Sequence, residues 1–94
     1  MTLLQGQGSR VPYRKSKPSS QRRRFGKNLF QLRKNRGFTQ ARLAEMADVE
    51  WMYIQWLEYG RSWPSLPVLS RLKVALDCDW NDLLDGCENT KAKD

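Results

Sequence analysis

Apolar residues recur three and four positions apart along the middle of the chain, with no alternating strand pattern and no internal repeat, so the sequence reads as a series of short helices. Phe25, Leu29 and Leu32 share one face of a first helix that begins near Arg22 and ends at Arg36, with Gly37 as its C-cap. Thr39 offers a hydroxyl cap to a second helix over residues 40–47, where Leu43 and Ala44 face inward. Asp48 tolerates left-handed backbone, which predicts a tight turn, and after Val49 a third periodic stretch runs to Tyr59 and is closed by Gly60. Ser65 caps a fourth helix that carries Pro67 in its first turn, where a missing N–H costs nothing, and Val68, Leu69, Leu72, Ala75 and Leu76 form its inner face. Asp79, with Asp82 three residues on, caps a short fifth helix containing Trp80, Leu83 and Leu84. The prediction is an all-α compact bundle of five short helices over residues 22–85.

Charge divides the chain differently. The net charge is +7. Residues 1–24 contain Arg10, Arg14, Lys15, Lys17, Arg22, Arg23 and Arg24 and no acid, so they account for all of it and the remainder is balanced. Residues 1–21 are also rich in Gly, Pro, Ser and Gln, a composition that does not offset the entropy of ordering. This predicts a flexible cationic arm, and residues 86–94 read as a polar tail. Such an arm is drawn to polyanions by counterion release, and nucleic acid is the usual polyanion of a cytosol. The plain alternative is a solubilising tail.

Much chemistry is excluded by what the chain lacks. Its 94 residues give one domain at most, and there is no histidine, the commonest general base and metal ligand. Cys78 reads as a small core residue and Cys87 lies in the tail, too few thiols for a zinc site. Asp77, Asp79, Asp82 and Asp85 cluster around the last helix, and capping and solvation explain their spacing better than a nuclease-like metal site does. No catalytic residue, cofactor or metal is expected. No secretion signal and no membrane-length apolar run is seen, which predicts a cytoplasmic protein.

The stretches FGKNLFQLR, GFTQARLAEMADV and IQWLEYGR, with Pro64-Ser65 after them, resemble the Cro and phage-repressor (Xre) family of helix-turn-helix domains. Arg33, Gly37, Thr39-Gln40, Leu43-Ala44, Ile54, Leu57-Glu58, Gly60 and Pro64-Ser65 all fall in register with it. The resemblance implies a bacterial or phage-encoded regulator, nucleoid-associated when bound, that holds double-stranded DNA as a homodimer on a near-palindromic operator. It implies an ion pair between Arg33 and Glu58, where the bland alternative is two solvated charges. It implies phosphate contacts from Gln40 and its cap Thr39, with Arg22, Arg23, Arg24, Tyr59 and Arg61 as further backbone contacts.

The third helix departs from the family. At 100° per residue Ile54 and Leu57 face the core, while Trp51, Met52, Gln55 and Trp56 share the opposite face, entered by Glu50. Relatives present Gln, Ser, Arg or Asn there. In this chain the five candidates for base contact, Glu50, Trp51, Met52, Gln55 and Trp56, offer one bidentate amide, one carboxylate, two indoles that only donate and a thioether. Contact with thymine methyls and sugars stays open to the apolar members. The competing reading is an exposed patch for a protein partner, an adaptor or antiactivator gripping through Trp51, Met52 and Trp56. A further option folds Trp51 or Tyr53 back into the core. Trp80 and Leu84 are the candidates for the dimer interface.

Overall fold

The computed structural model describes residues 19–88, so the predicted cationic arm up to residue 18 and the tail from residue 89 lie outside the described residues. Five helices follow one another: α1 (Ser20–Asn35), α2 (Gln40–Ala47), α3 (Trp51–Tyr59), α4 (Leu66–Leu76) and α5 (Trp80–Leu84). The fold is all-helical among the described residues, as the periodicity predicts. One boundary moves. α1 begins at Ser20, inside the stretch assigned to the arm, because the Ser19 hydroxyl accepts from Arg22 N–H and caps the first turn.

The other starts follow local chemistry. Thr39 Oγ1 accepts from Arg42 N–H at 3.0 Å, Ser65 Oγ from Val68 N–H at 3.3 Å, and Asp79 and Asp82 form a reciprocal capping box. Asp48 ends α2 with φ 56°, and Asp77 ends α4 with φ 51° in the same left-handed geometry. Gly60 ends α3 at φ 80°, and any side chain there would collide with the Arg23 backbone as well.

Helix α3 is the central element. Its Tyr53, Ile54 and Leu57 are buried among Phe25 and Leu29 of α1, Leu43, Ala44 and Ala47 of α2, Val68, Leu72 and Leu76 of α4, and Leu83 of α5. Each such leucine contributes about 1.5–3 kcal/mol of transfer free energy, enough in sum to hold short helices that would not form alone. Leu69, Ala75, Cys78 and Leu84 pack against this core only partly buried, and so does Cys87, which was assigned to the polar tail. Its N–H donates to Leu84 O at 2.9 Å, so ordered packing continues past α5.

The last carbonyls of these helices have no partner within their own helix, and long side chains supply one. From α1, Arg22 Nε donates to Gly60 O behind α3 at 3.2 Å. Arg24 Nε and Asn28 Nδ2 reach Asp85 O at 3.1 and 2.9 Å, and Asn28 also holds Leu83 O at 2.9 Å, closing α5. Arg36 donates to Leu76 O and Asp77 O, both at 2.8 Å, closing α4. Arg71 of α4 in turn donates to Ala47 O of α2 at 2.7 Å. α1 therefore serves the ends of three other helices.

Candidate nucleic-acid interface

The site is built from the base of α3 outward. Arg33 of α1 and Glu58 of α3 form an ion pair: Nε donates to Oε2 at 2.6 Å and Nη2 to Oε1 at 3.1 Å, with the two side chains only 8% and 7% exposed. Arg33 Nη1 also donates to Phe38 O at 2.8 Å, and the guanidinium lies 5.3 Å from the Phe30 ring centre. A planar fork can serve two acceptors and a ring at once, which a lysine ammonium cannot. α1 comes close enough for this because residue 26 is glycine: a Cβ there would overlap the Leu57 and Glu58 carbonyl oxygens.

The network continues to the surface. Gln40 Nε2, at the first position of α2, donates to Glu58 Oε1 at 2.9 Å, and Gln40 Oε1 accepts from Trp51 Nε1 at 3.1 Å. Gln40 thus joins the buried pair to the first residue of α3. Between α2 and α3 only the Asp48 turn intervenes, closed by Val49 N–H donating to Ala44 O at 3.0 Å.

The predicted outer face of α3 is narrower than its helical wheel suggests. Trp51 is 56% exposed and Met52 44%, whereas Gln55 and Trp56 are half-buried. Glu50 is exposed at the N-cap, and its carboxylate makes no capping bond. Tyr53 is the aromatic that folds into the core, with its hydroxyl donating to Trp63 O at 3.2 Å, and Trp51 stays outside. At the far end of α3, Tyr59 is 71% exposed.

A shallow groove of about 420 Å³ lies beside Tyr59, lined by Arg23, Lys27, Phe30, Gln40, Glu58 and Tyr59. It brings together Arg23, Gln40 and Tyr59 from the predicted backbone contacts. Thr39 adjoins it as the α2 cap, and Arg61 follows Gly60 with a half-buried side chain. Arg22 and Arg24 are placed differently. Arg22 is turned to Gly60 O, and Arg24 is turned to α5, where Nη2 meets Asp85 Oδ2 at 3.1 Å. Lys27 and Phe30 were missed as groove residues, although Lys27 stands one helical turn from Arg23 and so shares its face.

On α5, Trp80 is exposed with Lys73 Nζ 5.4 Å above its ring, and Leu84 is half-buried against the core. The acidic residues beside them are engaged: Asp79 and Asp82 in the capping box, Asp85 with Arg24, and Asp77 within 3.8 Å of Arg36. Burial pushes the thiols of Cys78 and Cys87 above the ordinary range; Asp82 adds to the rise at Cys78, whereas the Arg24 guanidinium opposes it at Cys87. No helix among the described residues is long and apolar enough to cross a membrane.

Several solved structures share the overall fold. The restriction-modification controller protein C.AhdI from Aeromonas hydrophila is 29% identical, with a TM-score of 0.67 over 69% of this chain and 98% of its own. The clp gene regulator ClgR from Corynebacterium glutamicum is 31% identical, with a TM-score of 0.66 over 72% of each chain. SinR, a master regulator for biofilm formation solved in complex with DNA, is 32% identical, with a TM-score of 0.61 over 65% of this chain and 98% of its own. No curated protein matches in sequence. The helix-turn-helix family pattern matches residues 29–83, which run from the middle of α1 to α5 and contain the Arg33–Glu58 pair, the Asp48 turn and the whole of α3. The chain belongs to that helix-turn-helix family, of the Xre and lambda-repressor type, whose members are transcription regulators.

Proposed function

We propose that the chain is a sequence-specific double-stranded DNA-binding repressor that binds a near-palindromic operator as a homodimer. The observation that carries this reading is the pairing of the α2 N-terminus with the exposed start of α3, beside a groove holding Arg23 and Lys27. Backbone N–H groups and cations on one flank suit phosphates, and a protruding helix on the other suits the major groove. SinR, similar over nearly its whole length, was solved with DNA. In this reading Glu50, Trp51, Met52, Gln55 and Trp56 approach base edges. Thr39, Gln40, Arg23, Tyr59 and Arg61 approach the backbone, joined by Lys27 and by the arm. Arg22 and Arg24, which also hold helix ends, approach the backbone from α1 as well.

The dimer forms through α4 and α5 with Trp80 and Leu84, placing half-sites about one helical turn apart. The protein works in the cytoplasm of a bacterium, and no catalytic step is assigned to it. The test is binding of the full chain to its own promoter fragment and to a scrambled fragment at two salt concentrations. Gln55→Ala is expected to lose about 1–3 kcal/mol on the promoter alone, and removal of residues 1–18, which keeps the Ser19 cap of α1, to weaken both and flatten the salt dependence by about 0.9 per lost phosphate contact. Equal affinity for both fragments rejects sequence-specific binding.

A second reading is favoured by the exposed Trp51 and Met52 and by a neighbour solved as a SinR–SinI protein complex, 32% identical over 66% of this chain. There the α3 face, Trp56 included, grips a protein partner. Gln55→Ala is then silent, and Trp51→Ala removes a protein complex instead.

A further inference from the structure

The two most exposed side chains at the start of α3, Trp51 and Met52, present almost no free hydrogen-bonding capacity. An indole has one polar atom, the Nε1–H donor, and that of Trp51 is spent on Gln40 Oε1 at 3.1 Å. Gln40 is itself fixed. Its amide nitrogen faces the Glu58 carboxylate, which only accepts, and its oxygen faces the indole, which only donates, so neither can exchange places. Glu58 is held in turn by Arg33 in a nearly buried pair. The polar edge of Trp51 is tied back towards α2, and over half of the residue's surface remains open to solvent. Met52, beside it, adds a flexible thioether that accepts hydrogen bonds only weakly.

These two side chains can discriminate bases only by apolar contact, whatever Glu50 and Gln55 contribute beside them. Among the four base pairs one group in the major groove is apolar, the C5 methyl of thymine. We infer that Trp51 and Met52 read thymine 5-methyl groups in the half-site, with the Arg33–Glu58–Gln40 chain acting as the positioning device for the indole. The inference rests on the DNA-binding reading and names what its third helix selects. Charge favours DNA as the occupant of this face, because Gln40 also lines the groove that holds Arg23 and Lys27.

The experiment uses the full-length chain and duplexes that it selects from a randomised double-stranded library. A selected duplex is resynthesised with uracil for thymine, which replaces the methyl by hydrogen and leaves every hydrogen-bonding edge as it was. Affinity is expected to fall about fourfold for each contacted methyl, the transfer free energy of one buried carbon expressed as a ratio. Trp51→Ala with Met52→Ala, shown to be folded by an unchanged helical circular dichroism spectrum and a cooperative melt, is expected to bind thymine and uracil duplexes alike. Two results overturn the thymine reading alone: selective binding by the wild type that ignores uracil substitution, or a uracil effect that survives in the double variant. Failure to enrich any duplex overturns it together with the DNA-binding reading, and a stoichiometric protein complex lost in Trp51→Ala then gives the face to a protein.

Discussion

Helix α1 is fastened to the rest of the domain at two places by chemically similar means, and the two differ in worth. At the joint with α3, Arg33 holds Glu58 and Phe38 O while Gln40 shares the carboxylate. At the clasp with α5, Arg24 holds Asp85 while Asn28 takes Leu83 O and Asp85 O. Each combines one ion pair with hydrogen bonds to carbonyls. The joint is nearly sealed, however, and the clasp ion pair is 46% and 63% exposed. Water competes for the clasp and is shut out of the joint, so burial and not the number of bonds decides which one the fold depends on.

Breaking the joint has the largest expected effect. Arg33→Ala leaves the Glu58 carboxylate buried without its guanidinium, and a loss of about 3–5 kcal/mol in chemical denaturation is expected. The double variant Arg33→Met with Glu58→Leu removes both charges, and recovery of most of that loss would show that the stranded charge is the cause. If Arg33→Ala unfolds like the wild type, the contrast between joint and clasp fails. Next comes Gly26→Ala, which forces α1 away from the Leu57 and Glu58 carbonyls and should cost about 1–3 kcal/mol as overpacking. The expected readout is a lowered midpoint with an unchanged denaturant slope.

The clasp is the smaller case. Arg24→Ala should cost under about 1 kcal/mol, and the loss should shrink in high salt as exposed pairs do. A loss matching that of Arg33→Ala would refute the ranking. Smallest is the alkaline effect of the two cysteines beside α5. Because burial raises the folded thiol pKa, the native state keeps its protons where the unfolded chain has released them, so their stabilising share is present below the ordinary thiol range and is lost as pH rises through the folded value. Against Cys78→Ala with Cys87→Ala, the wild-type melting temperature should fall more steeply with pH above that range.

The helices were legible because their signals are local. Thr39, Ser65 and Asp79 each cap the helix they precede, and Asp48 and Gly60 adopt the left-handed geometry for which their side chains suit them. The start of α1 was not, since Ser19 lies in a Ser-rich, apolar-poor stretch whose composition masks its capping role. Asp77 hid in the same way within an acidic cluster. The joint was accessible only through family resemblance, because Arg33 and Glu58 are 25 residues apart and no periodicity links them. The arginines that close helix ends, Arg22, Arg24, Arg36 and Arg71, had no signal at all: a cation on a helix reads as solvated unless the carbonyl it reaches is known. Gln40 shows a further limit, since its place in the sequence suggests a phosphate ligand and says nothing of the carboxylate and indole it holds.

The reach of α1 to the ends of α3, α4 and α5 also bears on how the domain comes apart. A peripheral helix can usually open alone, as an independent foldon, because its departure leaves the remainder satisfied. Here the departure of α1 withdraws Arg22, Asn28 and Arg36 from three helix termini together and uncovers Phe25 and Leu29 of the core. Opening of α1 by itself is therefore expected to be costly. Amide protons from α3, α4 and α5 are accordingly expected to exchange with solvent through one shared cooperative event, and exchange of one of these helices well ahead of the others would contradict it.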